Sequence, residues 1–189
     1  MASTFHYNLQ HAQVMSLVGT GNSWLDIPGV TTLTPSASSS PNFFNADGEK
    51  KYVAYPAAEW SLSYGFAEGD FALLAVINGG EVSSSGTPGT DEIQRYEQPA
   101  AAVNPPFALS GYAPNINGAV DMAGFRITFP QVKSAPAFPA MGQETWGEWT
   151  GEGALSPDEN GIVVVYETLE QTPTFTNGVY VPNLEAPAP

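Results

Sequence analysis

With 189 residues, 42% of them apolar and 12% aromatic, the chain has the material for one cored domain, which argues against disorder over its length. Nineteen acidic residues face five basic ones for a formal net charge of −14, so tight neutralisation of nucleic-acid phosphates is excluded as a role. The lack of cysteine removes disulfides, thiolate nucleophiles and sulfur-ligated metal sites, and suits assembly in a reducing cytoplasm.

In chain order, strand signals dominate. Residues 1–12 read as an N-terminal arm with no basic start and no apolar run long enough to span a bilayer, so a soluble protein without an export signal is expected. The only histidines, His6 and His11, lie on opposite sides of any strand and miss the one-turn spacing of a helical zinc pair. Ala12–Val18 and Val30–Leu33 are short strand candidates, and Gly19-Thr20-Gly21 between them lacks the lysine of a phosphate loop. Residues 34–51 read as a long exposed loop. It carries Pro35 and Pro41 around a serine run, and then Phe43 and Phe44. Those two rings either meet a partner or fold back onto their own sheet.

Tyr52–Tyr55 is a further short strand candidate. From Glu59 to Phe66, Trp60, Leu62, Tyr64 and Phe66 share one face, and Glu59, Ser61 and Ser63 the other. This period-two pattern marks a half-buried strand. Asp70 can cap a helix over Phe71–Ile77, which Asn78-Gly79-Gly80 can end. Being apolar on nearly every side, that helix should be buried. Ser83–Asp91 reads as a second loop, followed by a short helical turn over Asp91–Glu97. Phe107–Tyr112 is a strand candidate. In the next one, Phe125, Ile127 and Phe129 alternate with Arg126 and Thr128. Ile162–Thr168 opens on a β-branched run and reads as a central strand. Asn177-Gly178 predicts a last hairpin, and residues 181–189 form an extended, proline-rich C-terminal arm. The expected fold is a single mainly β domain, a β-sandwich or partial barrel with one short helix, a long loop and two arms.

Catalytic signatures are scarce. There is no G-x-S-x-G elbow, and a Ser-His-Asp triad would have to borrow His6 or His11. Ser156–Glu167 places Asp158, Asn160, Gly161 and Glu167 at calcium-loop positions, but Pro157 and the strand-like residues beyond favour a plain turn. The most informative polar pattern runs from Glu144 to Glu152. On a strand, Glu144, Glu148 and Glu152 share a face with Trp146 and Thr150, whereas a helix would stack the like charges. The row can be a glycosidase carboxylate set, a sugar-stacking surface using Trp146 and Trp149, a negatively charged wall, or an ordinary exposed strand face. The overall charge shifts weight from the enzyme to the wall.

Taken together, Ser23–Pro35, the alternating Glu59–Phe66 strand, the helix after Asp70, Phe107–Tyr112, Ala123–Val132 and Gly151–Ala154 resemble the tail tube (major tail) proteins of long-tailed, non-contractile phages. The likeness spans roughly residues 12 to 170 and rests on the pattern, not on a signature motif. It implies a non-enzymatic virion protein without cofactor, assembled in the host cytoplasm. Six copies would form a ring, and stacked rings a tube that conducts the genome, with tape-measure and tail-terminator proteins as further partners. DNA would pass without tight binding, and no membrane would be involved. Under it, Glu144, Glu148 and Glu152 are candidates for the lumen wall. Phe43, Phe44, Glu49, Lys50 and Lys51 are candidates for contact between rings. A capsid decoration protein, or a glycan-binding module using Trp60, Trp146 and Trp149, are the alternatives.

Overall fold

The computed structural model describes residues 9–18, 23–27, 29–46, 49–67, 71–100, 103–114, 124–135, 149–169, 175–176 and 179–180. The strands are β1 (His11–Ser16), β2 (Leu25–Ile27), β3 (Val30–Ser38), β4 (Asn42–Ala46), β5 (Glu49–Ala54), β6 (Glu59–Phe66), β7 (Glu81–Ser85), β8 (Ile93–Glu97), β9 (Phe107–Pro114), β10 (Gly124–Ser134), β11 (Trp149–Leu155), β12 (Val165–Leu169), β13 (Phe175–Thr176) and β14 (Val179–Tyr180). The helix α1 covers Phe71–Asn78.

One antiparallel sheet carries the fold, in the order β2-β1-β9-β10-β11-β6-β3, with β12 paired to β10 beside this path. The sheet turns back on itself, so that β11-β6-β3 lies over β1-β9-β10. Tyr64 of β6 meets Phe107 of β9 edge to face at 6.4 Å, and Leu33 of β3 reaches over Gly111 of β9. β10 makes the corner. Along one edge it pairs with β9, from Gly124↔Pro114 to Val132↔Phe107 with an irregularity between Phe129 and Val132; along the other it pairs first with β12 over Gly124–Thr128 and then with β11 over Val132–Ser134. A strand that changes layers at a bulge is how antiparallel sandwiches close their corners.

The core lies between the layers. Leu62, Tyr64 and Phe66, the apolar side of the alternating strand, are buried with Val14, Ile27, Phe107, Leu109, Phe129, Val132, Trp149 and Leu155. Glu59, Ser61 and Ser63 point out, as the period-two pattern requires. The helix packs against β1 and adds Leu73, Leu74 and Ile77 to the same cluster. It ends where Gly79 takes φ +75° and its N–H donates to the Ala75 carbonyl at 3.0 Å, a left-handed stop that suits glycine. The candidate cap Asp70 lies outside the described residues. The expected last strand pair is present as β13 with β14, Phe175 opposite Tyr180, while Asn177 and Gly178 lie outside the described residues.

Four readings need correction. Residues 34–51 are not a loop. β3 runs on to Ser38, and β4 and β5 form a hairpin with Phe44 opposite Tyr52. Pro35 is tolerated because β3 is an edge strand, where a missing N–H donor costs no ladder bond. Of the expected Ser83–Asp91 loop, Ser83–Ser85 instead belong to β7, which faces β8 from Glu81↔Glu97 to Ser85↔Ile93, while Gly86–Asp91 form the exposed tip of that hairpin. The expected helical turn over Asp91–Glu97 gives way to β8. Asp91 does not cap a helix; its Oδ1 accepts the Thr87 N–H at 2.7 Å and closes the hairpin tip. Finally, the β-branched run from Ile162 is not a central strand. The Asp158 carboxylate accepts the Asn160 and Ile162 N–H groups at 2.9 and 2.8 Å, which holds Ile162 in a turn. Val163 and Val164 pack on the core, and β12 starts only at Val165, bound to β10 alone.

Candidate functional site

The outer face of β3, β6 and β11 is built from short side chains. In register across the three strands lie Thr32, Gly65 and Thr150, then Thr34, Ser63 and Glu152, then Ser36, Ser61 and Ala154. Ser36 and Ser61 share a hydrogen bond at 2.9 Å. The pattern follows from the pleat. Leu33, Tyr64 and Leu62 on the same strands face the core, which leaves the hydroxyl-bearing positions outside. Glu152 is exposed on this face, as the sequence pattern proposed; Glu144 and Glu148 lie outside the described residues.

At one end this face deepens into an open groove of about 1000 Å³ lined by Ser38, Glu59, Trp60, Lys133, Glu152 and Pro157, among others. Lys133 is exposed and makes no ion pair among the described residues. Two other cations are committed elsewhere. Arg95 pairs with Glu97 on β8, and Arg126, buried on β10, bonds Glu167 of β12 through Nε at 2.5 Å. Trp60 is half-buried against the core, and Trp149 is a core residue only 6% exposed, so Trp149 cannot serve as a sugar-stacking platform. Trp146 lies outside the described residues.

The carboxylates do not gather into a catalytic or metal-binding set. Among the described residues no group of three or more His, Cys, Asp or Glu side chains is placed to hold a metal ion. The calcium-loop spacing over Ser156–Glu167 is resolved into its two parts. Asp158 organises a turn through its own backbone neighbours, and Glu167 turns to Arg126. His11 sits half-buried on β1, and His6 is outside the described residues.

The β4–β5 hairpin, between β3 and β6 in chain order, carries Phe43, Phe44, Glu49, Lys50 and Lys51, so these five candidates share one two-stranded ribbon. The strand that precedes them was missed as a candidate. β3 pairs with β6 along one edge, and no other strand among the described residues pairs with its second edge. Its nine residues, Val30–Ser38, carry no charge. Only Val30–Leu33 of it reads as a strand; beyond that, Leu33, Pro35 and Ala37 alternate with Thr32, Thr34 and Ser36, but a proline and an alanine make a weak apolar side.

Among the described residues no helix is long and apolar enough to cross a membrane. Compared with protein-family models and with curated proteins, the chain matches none.

Proposed function

We propose that this chain is a structural subunit that works by assembling with copies of itself, and that the assembly is the tail tube of a long-tailed, non-contractile phage. The observation that carries the proposal is β3: a nine-residue edge strand without a charge, on a chain of net charge −14. A long, uncharged edge left open is an aggregation hazard that monomeric proteins blunt with charge or cover, and an edge that no strand among the described residues pairs fits a strand that meets a partner. Elsewhere, like charges hold copies apart, so contact is favoured where charge is absent. The hydroxyl-rich outer face beside this edge supports the conduit reading. Among the described residues it offers a passing polyanion no guanidinium, and Lys133 stands at the end of the groove, whose lining also includes Glu152 and Glu59. Rings of six, stacking through Phe43, Phe44, Glu49, Lys50 and Lys51, and tape-measure and terminator partners belong to this same proposal.

The test is direct assembly. The purified protein, concentrated in raised salt to screen its charge, is imaged by negative-stain electron microscopy beside a Thr34→Lys variant. Thr34 is exposed at the β3 edge, so the lysine should leave the fold intact by circular dichroism while abolishing rings and tubes. Compact trimers from the wild-type chain would instead indicate a capsid decoration protein. Monomers that bind glycans through the Trp60 groove would indicate a carbohydrate-binding module.

A further inference from the structure

The face of β1, β9 and β10 turned away from the core carries a row of polar side chains that runs across four strands. Asp26 of β2 stands opposite Gln13 of β1, Gln13 opposite Ser110 of β9, and Ser110 opposite Thr128 of β10. Residues directly opposite in antiparallel strands point to the same side, so these four side chains are neighbours. An outer face of this composition would ordinarily be wet. Here it is closed off: Gln13 is 0% exposed, Ser110 1% and Thr128 3%.

The hydrogen-bond inventory of the row does not close among the described residues. Ser110 and Thr128 bond each other at 3.1 Å, and each hydroxyl keeps further acceptor capacity. Gln13 has neither its Oε1 nor its Nε2 paired, and the Asp26 Oδ1 is buried without a partner. Leaving each such group unpaired costs about 1–3 kcal/mol, whereas replacing the glutamine with an apolar residue would cost nothing of that kind. Donors (the Gln13 amide) and acceptors (Gln13 Oε1, Asp26 Oδ1, the two hydroxyls) sit side by side. That is the set of partners a buried water uses, typically about three hydrogen bonds each. An apolar ligand would leave the Gln13 amide and the Asp26 Oδ1 unsatisfied, and an anion would meet the Asp26 carboxylate.

We infer that Asp26, Gln13, Ser110 and Thr128 form an internal hydration site, in which ordered water bridges the Gln13 side-chain amide to Asp26 on one side and to the Ser110–Thr128 pair on the other. The polar row is then a structural element of the sheet, and the glutamine is its central ligand.

The test uses the wild-type protein at a concentration where it stays monomeric. Through-space NMR transfer from water to the Gln13 side-chain NH₂ should show a cross-peak with the sign of a water held rigidly in the fold. A Gln13→Leu variant supplies the second readout. With a hydrated row, the melting temperature falls by several degrees, because bound water and Asp26 lose their common partner. Absence of the water cross-peak would overturn the proposal, and so would a Gln13→Leu protein that melts higher than wild type, since a dry row gains from an apolar centre.

Discussion

Asp26 shows how one side chain's surroundings set a measurable property. Burial raises its carboxyl above the ordinary range, against the opposing pull of His11 and of the Ile27 N–H. The folded chain therefore holds this proton more tightly than the unfolded chain does. The resulting loss of stability is absent well below the ordinary carboxylate value, grows as the pH rises through the folded value, and is complete above it. Asp26→Asn should consequently be more stable than wild type at neutral pH, with the advantage fading as the pH falls toward about 4. Urea melts at a series of pH values would show it; an advantage independent of pH would contradict the assignment. Gly151 makes a steric case. A Cβ there would run into the Tyr64 ring, which is stacked on Phe66 at 5.2 Å and hydrogen-bonded through its hydroxyl to Ser134 at 2.5 Å. With the ring held at both ends, Gly151→Ala should cost about 1–3 kcal/mol by overpacking, read as a lower denaturation midpoint at unchanged slope.

At the scale of elements, the ladder between β10 and β12 carries one buried charge. Arg126 is 6% exposed and its partner Glu167 35%. Removing Glu167 leaves a guanidinium in the interior without that carboxylate, so Glu167→Ala should destabilise at the low end of about 3–5 kcal/mol, given the partial exposure of the glutamate. A thermal melt indistinguishable from wild type would show that the pair contributes nothing net. The same element explains why some of the fold was legible and some not. Glu59–Phe66 was readable because one side is large and apolar while the other is short and polar. In β10 the alternation of Phe125, Ile127 and Phe129 with Arg126 and Thr128 gave the strand correctly but misled about its polar side, because Arg126 and Thr128 are buried too. A period of two reports which residues face together; it does not report whether a second layer covers the polar face. β3, β7 and β8 were harder still. The serines, threonines and single proline of β3 and β7 satisfy strand geometry with little apolar bulk, which matches turn chemistry, and the mixed polar Ile93–Glu97 of β8 matches a helical turn as well as a strand. Of the candidate site, the exposure of Glu152 was legible and the open edge of β3 was not, since an edge is a property of the sheet order.

For the molecule as a whole, the shared strand β10 ties both layers into a single sheet path, while three hairpins, β4–β5, β7–β8 and β13–β14, pair only within themselves among the described residues. The β7–β8 ribbon is exposed along nearly its whole length, and its outermost stretch, Gly86–Asp91, turns through Gly86 and Gly89 at φ +92° and +77°. Backbone with that exposure and so few ties to the core is where foreign sequence is best tolerated. A short peptide tag placed between Pro88 and Gly89 should leave the melting temperature within about a degree or two of wild type, because the insertion lengthens a loop and disturbs no core contact. If the chain assembles as proposed, every copy in the polymer would then carry that tag at the same place. The ribbon would become a display position, repeated with the lattice of the assembly and readable by a labelled antibody.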